Sequence, residues 1–312
     1  MYADNSTADG IRSSYDVRGG PLQATSSPIP RGATAALIAA MIGSMVRESR
    51  TTVAGRSMRY LDAGSGWPVV LIHAFPLNAD MWRPQLDRVP DGWRFIAPDM
   101  RGFGPEPPAN PRPVSLDDMA SDVGILLDHL AIDTAVIGGL SMGGYITFAL
   151  FNRAPERFTG MILADTKAKA DTPEGLEGRR QTIALARAEG ATAVANSMLP
   201  KVLGKTSSAR RPEVVATVRA MIERSTTEGI VGAVEAMMAR PDRTSDLPRI
   251  SCPTLVIVGE EDVVTPVADA VAMQNQIARS RLVILPQAGH LSNLEVPDNF
   301  TLALGDFLSS NL

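Results

Sequence analysis

The sequence predicts an α/β protein with a mostly parallel central sheet, helices on both faces and a helical insertion before the last strands. Three observations predict it. Short apolar runs rich in Val and Ile alternate with segments of helical apolar spacing from about residue 51 to the end. The run 69–72 is continuously apolar, as in a strand covered on both faces. Residues 166–240 carry helical spacing and no strand run. The expected division is an N-terminal extension over 1–44, a core over 45–165 and 241–312, and a helical cap over 166–240.

Composition narrows the function classes. With 312 residues and 45% hydrophobic content, the chain can bury one large core. A net charge of -4 and no Lys/Arg cluster leave no footprint for nucleic acid, so the expected partner is a small molecule and the expected state a monomer or homodimer. The single cysteine, Cys252, excludes an intrachain disulfide and reads as a buried thiol, consistent with a cytoplasmic setting. His73, His129 and His290 are the only histidines, and no two have metal-ligand spacing; no metal and no cofactor are expected.

In chain order, residues 1–32 are rich in Ser, Gly, Pro, Asp and Asn and are poor material for a core. Residues 33–46 are apolar but interrupted by Gly43 and Ser44, too short to span a bilayer comfortably and too far from the start for an ordinary signal peptide, so they read as an amphipathic helix. Met41 and Met45 stand just before the first recognisable strand, so the natural start is expected near there and the upstream part is expected to be dispensable. Strands are expected at 56–61, 69–72 and 94–97, the latter two closing in His73-Ala74-Phe75-Pro76 and in Asp99-Met100-Arg101-Gly102-Phe103-Gly104. Residues 116–130 have helical apolar spacing behind an N-cap at Ser115, with His129 as a dipole-complementing surface residue.

Next comes Val136-Ile137-Gly138-Gly139-Leu140-Ser141-Met142-Gly143-Gly144, continuing as a helix over 145–151. Strand, tight turn, helix around Gly-x-Ser-x-Gly is the context of a nucleophile elbow, although a bare Gly-x-Ser-x-Gly also occurs in ordinary glycine-rich loops. A serine hydroxyl is a weak nucleophile and must face both a base and the substrate, and the sharp turn supplies that exposure. A strand over 160–164 ends at Asp165, and helices are expected at 181–188, 191–199, 212–224 and 228–239. Strands at 253–258 and 281–285, helices at 267–277 and 297–308, and a loop ending in Gly289-His290 complete the pattern.

These motifs resemble the α/β-hydrolase superfamily: Gly-Leu-Ser141-Met-Gly-Gly, His73-Ala-Phe-Pro, Asp99-Met-Arg101-Gly-x-Gly, Gly259-Glu-Glu-Asp262 and Gly289-His290, in order from about Met45 to the end. Within it, Met81-Trp82 with Gln85, Ala154-Pro-Glu-Arg157 and His290-Leu-Ser-Asn-Leu-Glu295 resemble 3-oxoadipate enol-lactonase-like esterases and lactonases. The resemblance implies Ser141 as nucleophile and His290 as general base, in the order serine, acid, histidine. Asp262 is the expected orienting acid, because it ends a strand in a turn before Thr265-Pro266; Asp165 is the alternative. Glu260 and Glu261 read as solvated charges. The implied oxyanion donors are the backbone N–H groups of Met142 and Phe75. The family commonly has His-Gly where this chain has His73-Ala74, so the second donor's loop is expected to sit differently, with His73 bracing it and Arg101 structural.

Phe75, Leu140, Met142 and Trp82 are the expected acyl-side lining, with Met198, Leu199, Met221, Met237 and Met238 over them from the cap. The implied activity is hydrolysis of small lactones or short- to medium-chain esters, N-acyl homoserine lactones among them. Two readings stand beside it, a cofactor-free haloperoxidase or perhydrolase and a non-enzymatic small-molecule receptor.

Overall fold

The computed structural model describes residues 45–104 and 115–311. The extension expected over 1–44, and with it most of the helix expected over 33–46, lies outside the described residues. The strands are β1 (Arg47–Val53), β2 (Arg56–Gly64), β3 (Trp67–Ile72), β4 (Trp93–Pro98), β5 (Ala135–Leu140), β6 (Phe158–Ala164), β7 (Thr254–Gly259) and β8 (Ser280–Leu285). The α-helices longer than about one turn are α1 (Leu116–His129), α2 (Met142–Arg153), α3 (Pro173–Val202), α4 (Lys205–Arg210), α5 (Pro212–Glu223), α6 (Thr227–Met238), α7 (Val267–Gln274) and α8 (Pro297–Asn311). No helix among the described residues is long and apolar enough to cross a membrane.

One sheet of eight strands runs in the order β1-β2-β4-β3-β5-β6-β7-β8. β1, β2 and β4 pair antiparallel, and from β4 through β8 every pairing is parallel. β5 and β7 are buried at every position, which accounts for their uninterrupted apolar text. From β3 the chain moves one way to β4 and then returns to the other side as β5. The crevice between the ends of β3 and β5 is therefore a topological switch point, where open α/β sheets bind ligands. The C-terminal ends of β3, β5, β6, β7 and β8 share one edge, and His73, Ser141, Asp165, Glu260 and Pro286 begin the loops there.

The first strand escapes the apolar pattern. β1 reads Arg-Glu-Ser-Arg-Thr-Thr-Val and is largely exposed, because it is an edge strand whose side chains need not be buried. It joins β2 through a two-residue turn in which Ala54 and Gly55 both have positive φ, at 47° and 75°, the twist that fits a tight hairpin. Helix α1 begins with a full capping box: the Ser115 side chain accepts from the Asp118 N–H, and the Asp118 carboxylate accepts from the Ser115 N–H.

Between β6 and β7 lies the helical insertion. Its long first helix, α3, breaks at Gly190, whose φ of 76° and ψ of -171° no helix can contain, which matches the two shorter helices expected over 181–188 and 191–199. The short α4 was not expected, since six residues cannot display a helical period. The insertion rests on the site-bearing edge. The Ser225 hydroxyl donates to the Pro76 carbonyl at 2.9 Å, Gly229 packs on Gly102, Gly204 packs on Gly289, and the Arg240 guanidinium lies 4.2 Å above the Tyr145 ring. Its two roots are tied by charge. Asp171 accepts from Arg240 at 2.7 and 2.8 Å and from Arg179; burial raises this carboxyl, but the two guanidiniums outweigh it and hold it far below the usual carboxylate range.

Candidate active site

Ser141 stands between β5 and α2 with φ 57° and ψ -110°, a conformation that persists only when its surroundings over-determine it. They do so here. The Ser141 N–H donates to the Ala164 carbonyl at 3.0 Å, and the Ser141 carbonyl accepts from the Thr166 hydroxyl at 2.8 Å and from the N–H groups of Gly144 and Tyr145. The flanking glycines answer to space. A Cβ on Gly139 would meet the Ile72 carbonyl oxygen at 2.6 Å, and one on Gly143 would meet it at 2.1 Å, so β3, β5 and α2 can only close together without side chains at these positions.

His290 Nε2 lies 2.8 Å from Ser141 Oγ, and His290 Nδ1 lies 2.8 Å from Asp262 Oδ2. The Thr265 hydroxyl spends its one proton on Asp262 Oδ2 at 2.6 Å, which leaves its oxygen facing His290 Nδ1 at 3.2 Å as an acceptor. Nδ1 therefore carries the imidazole proton, and the Nε2 lone pair is free to accept from Ser141. The other Asp262 oxygen accepts from the N–H groups of Val264 and Thr265, at 2.8 and 3.0 Å. Burial pushes the Asp262 carboxyl up, but His290 and these donors prevail and hold it below its ordinary value. Ser141, His290 and Asp262 are 9%, 3% and 5% exposed, so water barely reaches the hydrogen-bonded row.

Asp165 does not join that row. It ends β6 with φ 43°, accepts from the Gly259 N–H at 2.8 Å and from the Ser292 hydroxyl at 2.5 Å, and is wholly buried. Burial first, and the neighbouring Asp262 charge second, raise its carboxyl well above the ordinary range.

The expected oxyanion donors follow two neighbouring strands, β5 and β3. Met142 is the first residue of α2, where a helix has N–H groups with no acceptor inside it. Phe75 is on the loop after β3, half-buried and edge-to-face with Phe103 at 6.1 Å. Ala74 needs no left-handed freedom, since it is not among the positive-φ residues, and its N–H donates to the Met81 sulfur at 3.1 Å. His73 braces the loop: Nε2 accepts from the Met100 N–H and Nδ1 donates to the Ala74 carbonyl, both at 2.9 Å. Complete burial lowers the pKa of its imidazole and so favours the neutral form. Arg101 bonds Asp122 at 2.5 and 2.7 Å and so ties the β4 loop to α1.

The expected lining needs correcting wherever the side chain is buried. Trp82 is fully buried and packs 5.8 Å from Phe300, a core residue rather than a pocket wall, because its one-turn helix, Ala79–Trp82, turns that ring inward. Met237 is buried beside the Arg179 guanidinium, which reaches its sulfur at 3.4 Å, and the Met237 carbonyl accepts from Arg240. Leu140 and Met142 are fully buried in the elbow and Met198 is half-buried. Leu199, Leu203 and Val215 line a groove of about 800 Å³ whose other wall includes Glu260 and Val263 of the acid loop. Glu261 is not a solvated charge, since it accepts from the Thr206 N–H and hydroxyl at 2.8 and 2.6 Å. Thr265 escapes a motif reading, although its place three residues after an aspartate at a turn is a recognisable side-chain-to-backbone pattern.

The family model of the alpha/beta hydrolase fold matches residues 68–297. Among curated relatives, 3-oxoadipate enol-lactonase 2 of Acinetobacter baylyi is 34% identical over 239 residues, 76% of this chain and 86% of that one. A putative non-heme chloroperoxidase of Synechocystis is 32% identical, over 80% of this chain and 94% of that one. Among solved structures, a thermophilic esterase from Thermogutta terrifontis is 38% identical with a TM-score of 0.80, covering 84% of this chain and 98% of that one. An N-acyl homoserine lactone degrading enzyme is 27% identical with a TM-score of 0.71, covering 83% of this chain and all of that one. With the family match running from β3 to the start of α8 and the enol-lactonase and esterase likenesses covering most of the chain, the protein belongs to the alpha/beta hydrolase fold family, and these relatives support a hydrolase.

Proposed function

We propose that the protein is a serine hydrolase of carboxylic esters, acting through an acyl-enzyme on small lactones or short- to medium-chain esters. The observation that carries this reading is the unbroken row from Ser141 Oγ through His290 to Asp262, each link 2.8 Å. His290 Nε2 takes the serine proton as Oγ attacks the ester carbonyl, and the charge left on the carbonyl oxygen falls to the N–H groups of Met142 and Phe75. As the tetrahedral centre collapses, His290 returns that proton to the leaving oxygen. In a lactone the leaving alcohol stays attached to the acyl group. A water then gives its proton to His290 and attacks the acyl-enzyme, releasing the acid and restoring Ser141. Asp262 holds the imidazole in the tautomer this requires and balances its charge when it is protonated.

The cap over 166–240 supplies the acyl-side surface in this reading. The groove beside the acid loop is within the size range of ligand sites, and its lining mixes Leu199, Leu203 and Val215 with Lys205, Arg219 and Glu260, next to but not including the reacting residues. The likeness to an N-acyl homoserine lactone degrading enzyme makes such lactones the first candidates. The chloroperoxidase relative favours a second reading, in which hydrogen peroxide replaces water at the acyl-enzyme and yields a peracid. Peroxide-dependent bromination in acetate buffer would reveal it.

The test is kcat/KM for a mid-chain N-acyl homoserine lactone beside a p-nitrophenyl ester of equal acyl length, with Ser141→Ala as the blank. Loss of turnover on the order of a million-fold in the variant is expected. A lactone rate equal to the ester rate or above it names a lactonase, and ester turnover alone names a carboxylesterase. Turnover that survives Ser141→Ala overturns the reading.

A further inference from the structure

Taking Ser141, His290 and Asp262 as the reacting set, we propose that Glu295 is a positioning residue for His290, and that it couples the seating of the helical insertion to the alignment of that histidine. The Glu295 side chain is 2% exposed and makes three backbone hydrogen bonds. Its Oε1 accepts from the N–H groups of Gly289 and Leu291 at 3.0 and 3.1 Å, the two residues on either side of His290. Its Oε2 accepts from the N–H of Gly204 at 2.9 Å, the residue between α3 and α4. One carboxylate thus holds the histidine's own backbone with one oxygen and the insertion with the other.

A second carboxylate braces the same junction. Glu261, next to Asp262, accepts from the Thr206 N–H and hydroxyl, and its own N–H donates to the Ala288 carbonyl at 2.7 Å. The backbones between these anchors are in direct contact. A Cβ on Gly204 would meet Glu261 Oε2 at 2.6 Å and Gly289 N at 2.8 Å, one on Gly289 would meet Gly204 N at 2.2 Å, and one on Gly259 would meet the Gly289 carbonyl oxygen at 2.1 Å. The insertion, the histidine loop and the end of β7 therefore close on one another through three glycines, braced by the Glu261 and Glu295 carboxylates. A shift of Gly204 passes to Gly289 and Glu295, and from there to the His290 ring.

Three N–H donors shared between two oxygens call for a carboxylate here. Glutamine matches glutamate in size but offers one acceptor oxygen and one amide that donates, so it can serve the two N–H groups beside His290 or the one on Gly204, not both. The experiment compares Glu295→Gln, Gly204→Ala and, as a control, Gly178→Ala, an insertion glycine whose added Cβ would meet nothing within 4 Å. Three quantities are read well below each variant's melting temperature. They are the downfield proton resonance of the His290–Asp262 hydrogen bond, the rate at which a fluorophosphonate labels Ser141, and kcat and KM for a p-nitrophenyl ester.

The expected result is a displaced or broadened resonance in Glu295→Gln, with labelling and kcat down about tenfold or more and KM within about twofold. Gly204→Ala should move the same quantities in the same direction, although it touches no reacting group, and Gly178→Ala should move none. A Glu295→Gln protein that melts earlier but keeps the resonance and the labelling rate overturns the positioning role. A Gly204→Ala protein that keeps both overturns the coupling, and it alone decides if Glu295→Gln does not fold. The resonance needs no substrate, so failure of the proposed ester chemistry would show as turnover surviving Ser141→Ala and not as a failure here.

Discussion

Two neighbouring strands are each followed by an aspartate, and the two carboxyls are put to opposite uses. Asp262, after β7, is surrounded by donors and a histidine, and its environment favours the charged form. Asp165, after β6, is wholly buried beside that charge, and its environment favours the proton. Both are buried and both follow an apolar strand, so the difference lies in the partners. The turn at 262–265 folds two N–H groups and a hydroxyl back onto its aspartate, whereas Asp165 spends its oxygens on Gly259 and Ser292 and holds β6, β7 and the histidine loop together. Neighbouring carboxyls whose affinities for protons are driven apart take different roles, and only one of them can stabilise an imidazolium.

The sharpest way to break the comparison is to neutralise each carboxyl in turn. Asp262→Asn should lower kcat/KM by about ten-thousandfold, because an amide at this position stabilises the wrong imidazole tautomer. The same substitution at Asp165 should change kcat/KM by no more than about threefold, since its contacts suit an amide and asparagine tolerates its positive φ. A reversed order in these rates would make Asp165 the acid. Thr265→Val tests the intermediate step: it removes the hydroxyl bonded to Asp262, and a loss of about tenfold in kcat/KM with folding intact is expected for one hydrogen bond to a charge.

The smallest effect sharpens the comparison through stability. A carboxyl raised in the folded state contributes stability below its unfolded pKa and loses it as pH rises towards the folded value, so Asp165 should make the wild type progressively less stable from acid to neutral pH. Asp262, lowered, has the opposite sign: its contribution is present above the unfolded pKa and disappears as pH falls. Thermal melts of Asp165→Asn against wild type from about pH 4 to about pH 8 should therefore show a Tm difference that grows in the variant's favour as pH rises. A difference that shrinks over that range would contradict the protonated reading of Asp165.

Much of this was legible in the sequence where the cause is local. The continuous apolar text of β5, the two glycines of the elbow and the helical spacing after Ser141 are neighbours in sequence and in space, so reading them in order reproduces strand, turn and helix. Ser115 announced α1 for the same reason, because a capping box spans only four residues. β1 escaped notice because an edge strand draws its order from pairing with β2 rather than from burial. Trp82 showed the limit of a motif, which says that a tryptophan is present but not which way its ring turns.

By itself the sequence determined the alternation of strands and helices, the elbow serine and the histidine at the end of the chain, all properties carried by periodicity, glycine placement and short spacing. The tertiary structure alone decided which of the two aspartates meets His290, that half-buried Glu261 and buried Glu295 anchor the insertion through hydrogen bonds, and that the insertion closes on the histidine loop through glycines. Those partners are 28, 55 and 91 residues apart in the chain, and a hydrogen bond between them leaves no pattern in either segment until the sheet has brought its strand ends to one edge.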